Sequence, residues 1–426
     1  MKFLAKLAGA LLLALGVIPA LLLPALFPVP EVTPFPQQIE VQPLPLRASC
    51  PGSLVEVGGE QGTDLGEMAR VGNPKVSAHG AEFDPEALFA TFEVDGFPQS
   101  TELLSANQAQ SIDRPRMSGL AAVNCPQPAS FGYFVSGSSG PGNESVLLLS
   151  NPNQVEVMVE ISIYLDAEIA SERISLAAGE QKVVPLIALS GAEPVYALGY
   201  STSGLAVSAF MQHRSVTGLT ATGVALVAPQ LPSEAGVIPG IEVLNEGFEP
   251  LEVRVFNPGI EQAEVIVQIG DSSEFEMLRL LVPAGSIATD LVELPEGMHQ
   301  VSFQSDQAVA MSVKNTILEP ALDFSWFNPA ASFTEPLRII APAGGTLFVA
   351  NPGLSELSVV VQGTSGQSVS VPARSQVGIP VSSGSYLVTG SAEFSANLVI
   401  RNPAGYANIT PSPMKNFGQE LTVFVR

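Results

Sequence analysis

The clearest pattern in the chain is a pair of alternating apolar and polar runs with a turn between them. In residues 251–270, the runs 251–256 and 263–269 flank an Asn-Pro-Gly sequence. Apolar positions that recur with a period of two predict β-strands, because successive side chains of a strand point to opposite faces. The same arrangement recurs at residues 145–164 and 345–362. Three copies of one local pattern indicate an internal repeat.

The residues between the paired runs have the chemistry of a tight turn. An Asn side chain bonds its own backbone at the first turn position, Pro fixes the next φ near −65°, and Gly or Asn tolerates positive φ at the third. We therefore predict that each copy is a β-hairpin and that the turn residues have a structural role. These turn residues are Asn151, Pro152, Asn257, Pro258, Gly259, Asn351, Pro352 and Gly353.

Further strand-like runs surround the first two copies, seven between residues 131 and 212 and seven between residues 241 and 314. Short runs separated by turn residues are typical of immunoglobulin-like β-sandwiches. In both copies an Ala-Gly pair follows the motif Asn by 27 residues, and in the third copy the equivalent Pro-Ala-Arg at 372–374 comes five residues earlier. Solenoid repeats are shorter than this one, so the repeat predicts separate sandwiches in series, each with its own core.

The N-terminus has the pattern of a membrane anchor, because Lys2 and Lys6 precede an uncharged apolar run over residues 7–27. As a helix, this run is about 31 Å long, which matches the hydrocarbon thickness of a bilayer. Basic residues before the run predict a cytoplasmic segment 1–6 and an extracytoplasmic remainder, with the anchor uncleaved and crossing the cell membrane once. Pro19 and Pro24 keep an alternative open, a cleaved signal peptide that releases a secreted protein.

The remaining boundaries follow from the prolines and from the repeat. Six prolines between residues 28 and 45 predict an extended polyproline stalk over residues 28–47. Residues 48–130 alternate less regularly and are predicted to form a degenerate N-terminal β module. The three sandwiches are assigned to residues 131–235, 236–335 and 336–426, with 421–425 as a closing strand. The predicted fold class is all-β: tandem immunoglobulin-like β-sandwich domains after one N-terminal transmembrane helix and a Pro-rich stalk.

The composition indicates that the chain is folded and that its surface is acidic. Hydrophobic residues make up 46% of the chain and charged residues 14%, which excludes an intrinsically disordered protein. The formal net charge is −23, and such a surface repels the phosphate backbone of nucleic acids. We therefore predict no nucleic-acid partner. The predicted partners are the membrane, through the anchor, and an envelope protein or glycan.

Cys50 and Cys125 are the only cysteines. In an exported protein, two thiols in an oxidising compartment are expected to form one disulfide. They do not form a Cys-x-x-Cys redox motif, and two cysteines without a nearby His do not make a zinc site. The prediction is a structural disulfide between Cys50 and Cys125.

Catalytic and metal-binding patterns are missing from the sequence. His79, His213 and His299 are far apart and lack partners at the spacing of a metal site or a catalytic triad. Surface positions at strand ends are expected for His213 and His299. We therefore predict no catalytic residue, no cofactor and no metal ligand, and a protein that is not an enzyme. An enzyme with a site assembled from dispersed Asp and Glu residues stays open as an alternative.

One aromatic cluster is a candidate interaction site. Phe324, Trp326, Phe327 and Phe333 lie in the connection between the second and third repeats, and Trp326 is the only tryptophan. Tryptophan is favoured in the centres of interfaces, so a sugar or a partner protein could stack on these rings. In the alternative interpretation the rings pack between domains and fix the angle between them.

Several of these features together resemble a known family. They are the N-terminal anchor, the Cys-Pro-Gly at residues 50–52, the second cysteine in NCPQPASFGYFVSG, the NPG units and the VIPG at residues 237–240. From residue 50 onward the chain resembles actinobacterial exported, membrane-anchored proteins catalogued as a domain of unknown function. Its NPG units are similar to bacterial immunoglobulin-like modules. This resemblance implies an exported location and a β-sandwich fold, but no established activity and no site residues.

The sequence as a whole predicts a non-catalytic, membrane-anchored extracytoplasmic envelope protein that acts as a structural or protein-binding scaffold. The order of anchor, stalk and repeats supports this hypothesis. The alternative is a carbohydrate-binding or adhesive surface protein, which depends on the cluster around Trp326.

Overall fold

The structure is a computed structural model that describes residues 35–39, 46–58, 64–79, 89–94, 105–165, 169–244, 248–270, 275–412 and 421–425. These residues are nearly all β, with one short helix, α1 (Ile187–Ser190). The predicted fold class, all-β with immunoglobulin-like sandwiches, is therefore confirmed. The predicted membrane helix 7–27 lies outside the described residues. Within them, no helix is long and apolar enough to span a membrane.

The chain divides into two compact units, and the smaller unit contains Met1–Leu44 and Phe417–Arg426. In it, strand β1 (Phe35–Ile39) pairs antiparallel with the last strand of the chain, β33 (Leu421–Val425). Two predictions are corrected here. Part of the predicted polyproline stalk is a strand, and residues 421–425 pair with β1 instead of closing the third sandwich. A proline in β1 is tolerated because a strand at a sheet edge does not need every N–H group.

The larger unit, Pro45–Asn416, begins with an N-terminal module of small sheets. In it β2 pairs with β6, β3 pairs with β4, and β5, β7 and β8 form a three-stranded sheet. The predicted disulfide between Cys50 and Cys125 is present, and both cysteines are buried. The strands are β2 (Leu46–Ser49), β3 (Leu54–Gly58), β4 (Asp64–Val71), β5 (Lys75–His79), β6 (Thr91–Val94), β7 (Ser105–Arg114) and β8 (Met117–Asn124).

The first sandwich consists of two four-stranded antiparallel sheets, in the orders β13-β10-β15-β16 and β12-β11-β14-β9. Strand β11 shows why the sequence alternates, because its valines and isoleucines are buried and the residues between them are more exposed. The strands are β9 (Phe131–Phe134), β10 (Asn143–Ser150), β11 (Val157–Tyr164), β12 (Ile169–Leu176), β13 (Gln181–Pro185), β14 (Ala197–Thr202), β15 (Ser208–Thr217) and β16 (Thr220–Val227).

The second sandwich is organised around one long strand, β22, which pairs with β17 and β19 along its first part and with β18 and β23 along its second. The alternation of residues 300–304 and 309–314 predicted two separate strands, whereas β22 runs through both without interruption. Strands β20 and β21 flank β19 and β18. The strands are β17 (Ser233–Val243), β18 (Leu251–Phe256), β19 (Ala263–Gly270), β20 (Phe275–Val282), β21 (Ile287–Val292), β22 (Gly297–Ile317) and β23 (Asp323–Phe327).

The third sandwich has one sheet in the order β24-β31-β26-β29, with β32 also on β31, and a second sheet in the order β25-β30-β27-β28. Its strands are β24 (Ser332–Phe333), β25 (Leu337–Ala341), β26 (Gly345–Asn351), β27 (Leu357–Gln362), β28 (Gly366–Val371), β29 (Ser375–Val381), β30 (Gly384–Gly390), β31 (Phe394–Asn402) and β32 (Gly405–Ile409).

The Asn-Pro turns do not close hairpins, contrary to the prediction. In the first and third copies, the strands before and after the turn belong to different sheets: β10 and β11, β26 and β27. In the second copy, β18 and β19 pair with different parts of β22 and not with each other. In the second copy, Asn257 Oδ1 accepts from Gly259 N at 2.9 Å, as the turn chemistry predicts. Its Nδ2 also donates to the carbonyls of Glu261 and Val282. Asn151 and Asn351 make the equivalent bonds, so the buried amide ties the crossing between sheets to the end of a neighbouring strand.

The distance of 27 residues from the motif Asn to the Ala-Gly pair, shared by the first two copies, also has a structural cause. Gly179 N donates to Asn151 O, and Gly285 N donates to Asn257 O, so the pair forms the turn that lies against the motif. Both glycines have positive φ, 68° and 65°. In the third copy this left-handed position is taken by Arg374, with φ 51°. The earlier position of Pro-Ala-Arg in the third copy therefore reflects a shorter excursion to the same turn.

Four strands from four different modules lie side by side around a common centre. β8 is next to β16, β16 is next to β23, β23 is next to β32, and β32 is next to β8. Each of them, here called a ring strand, is the second strand of an antiparallel hairpin. Within Pro45–Asn416, the N-terminal module and the three sandwiches therefore close into a ring.

Each ring strand divides its side chains between two cores. On β23, Phe327 packs in the core of the second sandwich, whereas Phe324 and Trp326 pack in the core of the first. On β32, Ile409 packs in the third core and Tyr406 in the second. Each of these strands therefore fills its own core with one face and the preceding core with the other.

The other two ring strands, β16 and β8, also divide their side chains between two cores, and β8 completes the ring. On β16, Val227 packs in the first sandwich, and Leu226 packs with the N-terminal module. On β8, Val123 packs with the N-terminal module, and Leu120 packs in the core of the third sandwich. Each sandwich has a core of its own, but the expectation of a linear series is wrong, because each ring strand also contributes side chains to a neighbouring core. The last module supplies the core into which the first one inserts.

Candidate functional site

The centre of the ring is occupied by one buried carboxylate, that of Asp323 at the start of β23. It accepts four backbone hydrogen bonds, one from each ring strand. Oδ2 accepts from Leu120 N at 2.8 Å and from Tyr406 N at 2.9 Å. Oδ1 accepts from Val224 N at 3.1 Å and from Phe324 N at 2.9 Å. These donors fill the acceptor capacity of an ionised carboxylate.

Glycines make the close approach to Asp323 possible. The ring strands β8, β16 and β32 have Gly119, Gly223 and Gly405 at the position that Asp323 occupies in β23. All three have positive φ, at 137°, 152° and 143°. A Cβ added to any of them would overlap an oxygen of the Asp323 carboxylate. Only glycine combines this backbone conformation with the space that the carboxylate needs.

The environment of Asp323 suits a structural role. Burial raises the pKa of Asp323 to about 7, and the backbone N–H groups of Leu120, Tyr406, Phe324 and Val224 oppose that rise. The side chain is fully buried, and its oxygens are already hydrogen-bonded to the protein. Its carboxylate therefore holds four strands together and is not aimed at a substrate.

Two cavities among the described residues have carboxylates in their lining, and one is small and the other open. Glu249 and Glu293 line a cavity of about 20 Å³, which has room for one water molecule and not for a substrate. An open groove of about 450 Å³ at one end of the first sandwich has Glu156 as its one ionisable lining residue. Among the residues that the structure describes, no group of three His, Cys, Asp or Glu side chains could hold a metal ion.

The predicted aromatic cluster is buried. Phe324, Trp326, Phe327 and Phe333 each expose 7% or less of their surface. Phe324 and Trp326 are in the first core, Phe327 in the second and Phe333 in the third. The interaction site expected from their sequence is therefore not available to a sugar or a protein from solvent in this structure. The rings lie between modules because β23 is a ring strand with both faces covered.

His213 was expected at the surface, and this expectation is wrong. It is buried on β15, where the Trp326 indole Nε1–H donates to His213 Nδ1 at 3.0 Å. An indole nitrogen only donates, so the imidazole proton is on Nε2, which donates to Asn143 Oδ1 at 3.1 Å. Burial lowers the pKa of His213 well below its ordinary value, and the nearby charges of Lys314, Arg254 and Arg214 lower it further.

We expect His213 to make the folded state sensitive to acid. Above pH 6.5 the imidazole is neutral in both states, whereas below it only the unfolded chain takes up a proton. The free energy of unfolding, measured relative to that of a His213→Asn variant, should fall by about 1.4 kcal/mol per pH unit below that point. The Asn Oδ1 can still accept from Trp326 Nε1. Urea titrations of both proteins between pH 4 and pH 8 measure this difference.

Asp323 also titrates, but its effect cancels in this comparison. Burial raises its pKa, and its four backbone N–H donors oppose that rise. Both proteins share that contribution. Parallel stability profiles for the wild type and His213→Asn would show that the imidazole is not held neutral.

A buried arginine connects the first two sandwiches beside Trp326. The Arg254 guanidinium lies 4.7 Å from the centre of the Trp326 ring. Its Nη1 donates to Gly137 O at 2.6 Å, and its Nε donates to Glu252 at 2.5 Å. A paired charge that also stacks on an aromatic ring avoids the cost of an isolated buried ion. Arg254 is therefore, after Asp323, a second buried polar residue that links modules through hydrogen bonds.

One surface stands out as a candidate binding face: the outer face of β19 and β20. On it, Phe275, Met277 and Leu281 of β20 are 46%, 61% and 55% exposed, and Ile266 of β19 is 41% exposed. Ile266 is opposite Arg279, so its diagonal neighbours on β20 are Met277 and Leu281. These four apolar side chains, the β20 face, lie on one face of the sheet around the Arg279–Glu264 ion pair. Large exposed apolar groups in one patch are typical of interaction surfaces.

The corresponding edge strands of the other sandwiches are more polar on this face, although β12 has Ile169 at the position of Phe275. β12 and β28 pair with β11 and β27 as β20 pairs with β19. Where β20 has Leu281, β12 has Ser175 and β28 has Ser370. Where β20 has Met277, β12 has Ser171. The set of three large apolar residues on this face, Phe275, Met277 and Leu281, is therefore a property of the second sandwich and not of the repeat.

Sequence reasoning missed both Asp323 and the β20 face. The residues of β20 were predicted to form a strand, but alternation alone did not show which face is exposed. A signal for the ring strands is present in the sequence. GLAAVNCP, GVALVAP, DFSWFNP and GYANITP align at Gly119, Gly223, Asp323 and Gly405. The Asp in the third string and the large aromatics after it disguise the match.

Comparison with known proteins adds little beyond a family. No curated protein matches the chain. Among solved structures, the FN1–FN3 domains of chicken CNTN1 are similar at 11% identity with a TM-score of 0.12, over 71% of this chain and 99% of that chain. This TM-score is too low to support an argument about fold or function.

The family assignment is clearer than the structural match. The family described as a family of unknown function, DUF5719, matches residues 81–390, from the N-terminal module into the third sandwich. The predicted resemblance to a family of unknown function is confirmed to this extent. The match includes three of the four ring strands, with Asp323 among their residues. The chain belongs to the DUF5719 family of unknown function.

Proposed function

We propose that this chain is a non-catalytic binding scaffold of the cell envelope, in which the second sandwich binds an extended segment of another protein at strand β20. The observation that supports this proposal is the combination of the apolar β20 face with a free strand edge. In the sheet order β20-β19-β22, no strand among the described residues pairs with the outer edge of β20. A free edge offers backbone N–H and C=O groups to an incoming strand.

Charge defines the chemistry of the partner segment. Residues 236–335 contain three basic residues, Arg254, Arg279 and Lys314, and a large excess of Asp and Glu. Each of the three is already ion-paired within the sandwich, with Glu252, Glu264 and Glu249. The acidic excess is therefore not balanced from within. A basic partner is attracted to such a surface, and its association is accelerated.

The proposed occupant is a β-strand with apolar and basic residues in alternation. Its apolar side chains would continue the patch formed by Phe275, Met277, Leu281 and Ile266. Its backbone would pair with β20, and its basic side chains would lie on the other face of the strand, where Glu276 of β20 is exposed. Backbone pairing supplies affinity in this mode of recognition, and the alternate side chains supply specificity.

The proposed location is the outer side of the cell membrane, with the apolar run 7–27 as the anchor. The sequence supports this location through the two lysines before the run and the acidic chain after it. The Cys50–Cys125 disulfide is compatible with an oxidising compartment. A glycan-binding role loses its support, because the cluster around Trp326 is buried.

A nine-residue peptide of alternating Val and Lys tests the binding site. We expect it to bind the full-length chain and to protect the amides of β20 from hydrogen exchange. A variant with Met277→Ser and Leu281→Ser has the kind of residue that β12 has at these positions. The double variant should bind the peptide at least about tenfold more weakly, because two apolar contacts of the patch are lost. Fluorescence anisotropy of a labelled peptide measures the Kd.

The matched control is Ile169→Ser on β12. Ile169 is 62% exposed at the position that corresponds to Phe275, and its replacement should leave the Kd unchanged. A peptide of alternating Val and Glu should not bind. If the double variant binds the Val-Lys peptide as tightly as the wild type does, the attraction is only electrostatic and the proposed site is wrong. Protection of amides outside β20 alone would also contradict the proposal.

A further inference from the structure

The four ring strands present the same chemical group to the ring centre. In each strand, the residue after the Gly or Asp donates its backbone N–H to this point, as Leu120, Val224, Phe324 and Tyr406 do. The four donors come from the N-terminal module and the three sandwiches. Each carries a partial positive charge, and together they converge on one small volume that excludes solvent.

Such a convergence of N–H groups is the geometry of an anion site. Backbone amides aimed at one point bind phosphate, carboxylate or chloride in many folds, because each donor satisfies part of the ligand's charge. Three of the four ring strands leave this point free of side chains by having glycine there. The fourth ring strand has Asp323 at this position, and its carboxylate supplies the anion.

We propose that the ring centre is an anion-binding site formed by one backbone amide from each of the four modules, and that Asp323 is its resident ligand, supplied from within the chain. The site selects a small carboxylate. It joins the first module to the last, because Leu120 and Tyr406 donate to the same oxygen, Oδ2. This inference is independent of the binding surface on β20.

The proposal explains why aspartate and not asparagine is at this position. An amide side chain would offer one oxygen to two of the donors, but its Nδ2 would face the other two donors with its own hydrogens. Two buried N–H groups would then lack acceptors, which is costly in a dry interior. An ionised carboxylate satisfies all four.

Chemical rescue tests the site. Asp323→Ala removes the carboxylate but keeps the Cβ, so the space left in the folded ring has the size of formate. We expect the variant of the full-length chain to have a lower Tm than the wild type. Sodium formate should raise its Tm selectively by at least about 2 °C, because a ligand that binds only the folded state stabilises it. Formamide, which is neutral and of the same size, should have no selective effect.

Two further variants control this test. Asp290 is also in a strand and accepts from the next residue's amide, Leu291 N, at 2.9 Å, but it lies on the surface. Asp290→Ala should respond to formate only as the wild type does. Asp323→Asn fills the space and should be destabilised without responding to formate. Equal stability of Asp323→Asn and the wild type would overturn the proposal, as would an equal response of all variants to formate.

A measurement on the wild type decides the question if Asp323→Ala does not fold. The amides of Leu120, Val224, Phe324 and Tyr406 share one acceptor group, so we expect them to exchange hydrogen in a single slow step when the ring opens. Exchange of any one of the four at a clearly faster rate would show that the modules do not depend on a common ligand, and would contradict the proposal.

Discussion

Replacing Gly405 with alanine should lower the free energy of unfolding by about 4 kcal/mol, through backbone strain together with buried amides that lose their acceptor. Gly405 has a φ of 143°, which residues with a Cβ rarely adopt. The added methyl group would overlap the Asp323 carboxylate and the backbone nitrogen of Leu120. The carboxylate would have to move, and its bonds to Leu120 N and Tyr406 N would be lost. Urea denaturation of the full-length chain measures the change.

The control for this prediction is Gly204→Ala. Gly204 also has positive φ, 126°, but no atom lies within 4 Å of a Cβ added there. Its replacement should therefore cost only the backbone strain, on the order of 1–2 kcal/mol. Similar losses for the two variants would mean that crowding at Asp323 contributes nothing, and the ring centre would then not be tightly packed.

Removal of the disulfide by replacing Cys50 and Cys125 with alanine should cost about 4.5 kcal/mol, the chain-entropy value for a loop of this length. The two cysteines are separated by 75 residues. They are buried with Ala48, Ala90 and Ala106 in a small cluster, which offers little apolar surface to replace the crosslink. The loss should weaken the ring as well, because β8 ends one residue before Cys125. The midpoint of urea denaturation, followed by Trp326 fluorescence, measures the effect.

Chemical reduction supplies the control for the disulfide variant. Under a reductant, the wild type should lose about the same stability as the double alanine variant has lost, and the variant should not change. A wild type that is unaffected by complete reduction would show that the crosslink does not constrain the unfolded chain. A variant that is also weakened by the reductant would show a non-specific effect.

The sandwiches were predictable because their strands have one buried and one exposed face. In β11 the alternation of Val157, Val159, Ile161 and Ile163 with more exposed residues marks a strand whose inner face lies in a core. Period-two alternation is a local property of the sequence, so it is visible without knowledge of the partner strands. Turn chemistry is equally local, and the bond from Gly259 N to Asn257 Oδ1 confirms it.

Pairing was not predictable from the same pattern. The runs around Asn257 were predicted to be hairpin partners, but β18 and β19 pair with different parts of β22 and not with each other. Alternation shows that a strand has a buried face, whereas it does not show which strand lies beside it. The amide of Asn257 bonds Val282 O, which is 25 residues away in the chain. Such a contact depends on where the rest of the sandwich lies.

The ring strands were missed because their burial cannot be inferred from polarity. Both faces of β23 are covered, one by the second core and the other by the first, so all five residues of DFSWF are buried, including Asp323 and Ser325. A strand of five residues is also too short for its pattern to distinguish it from a connection. His213 was assigned to the surface for a similar reason, since only the packing of β15 against Trp326 buries it.

The sequence by itself determined the local structure: the strands with one wet face, the turns at Asn151, Asn257 and Asn351, and the disulfide between the two cysteines. Only the tertiary structure decided that four modules share their cores in a ring and that their amides meet on Asp323. The physical reason is the distance along the chain over which each interaction acts. Alternation and turn chemistry act between residues that are neighbours in the chain, whereas Leu120 and Tyr406 meet at Asp323 from opposite ends of the folded unit.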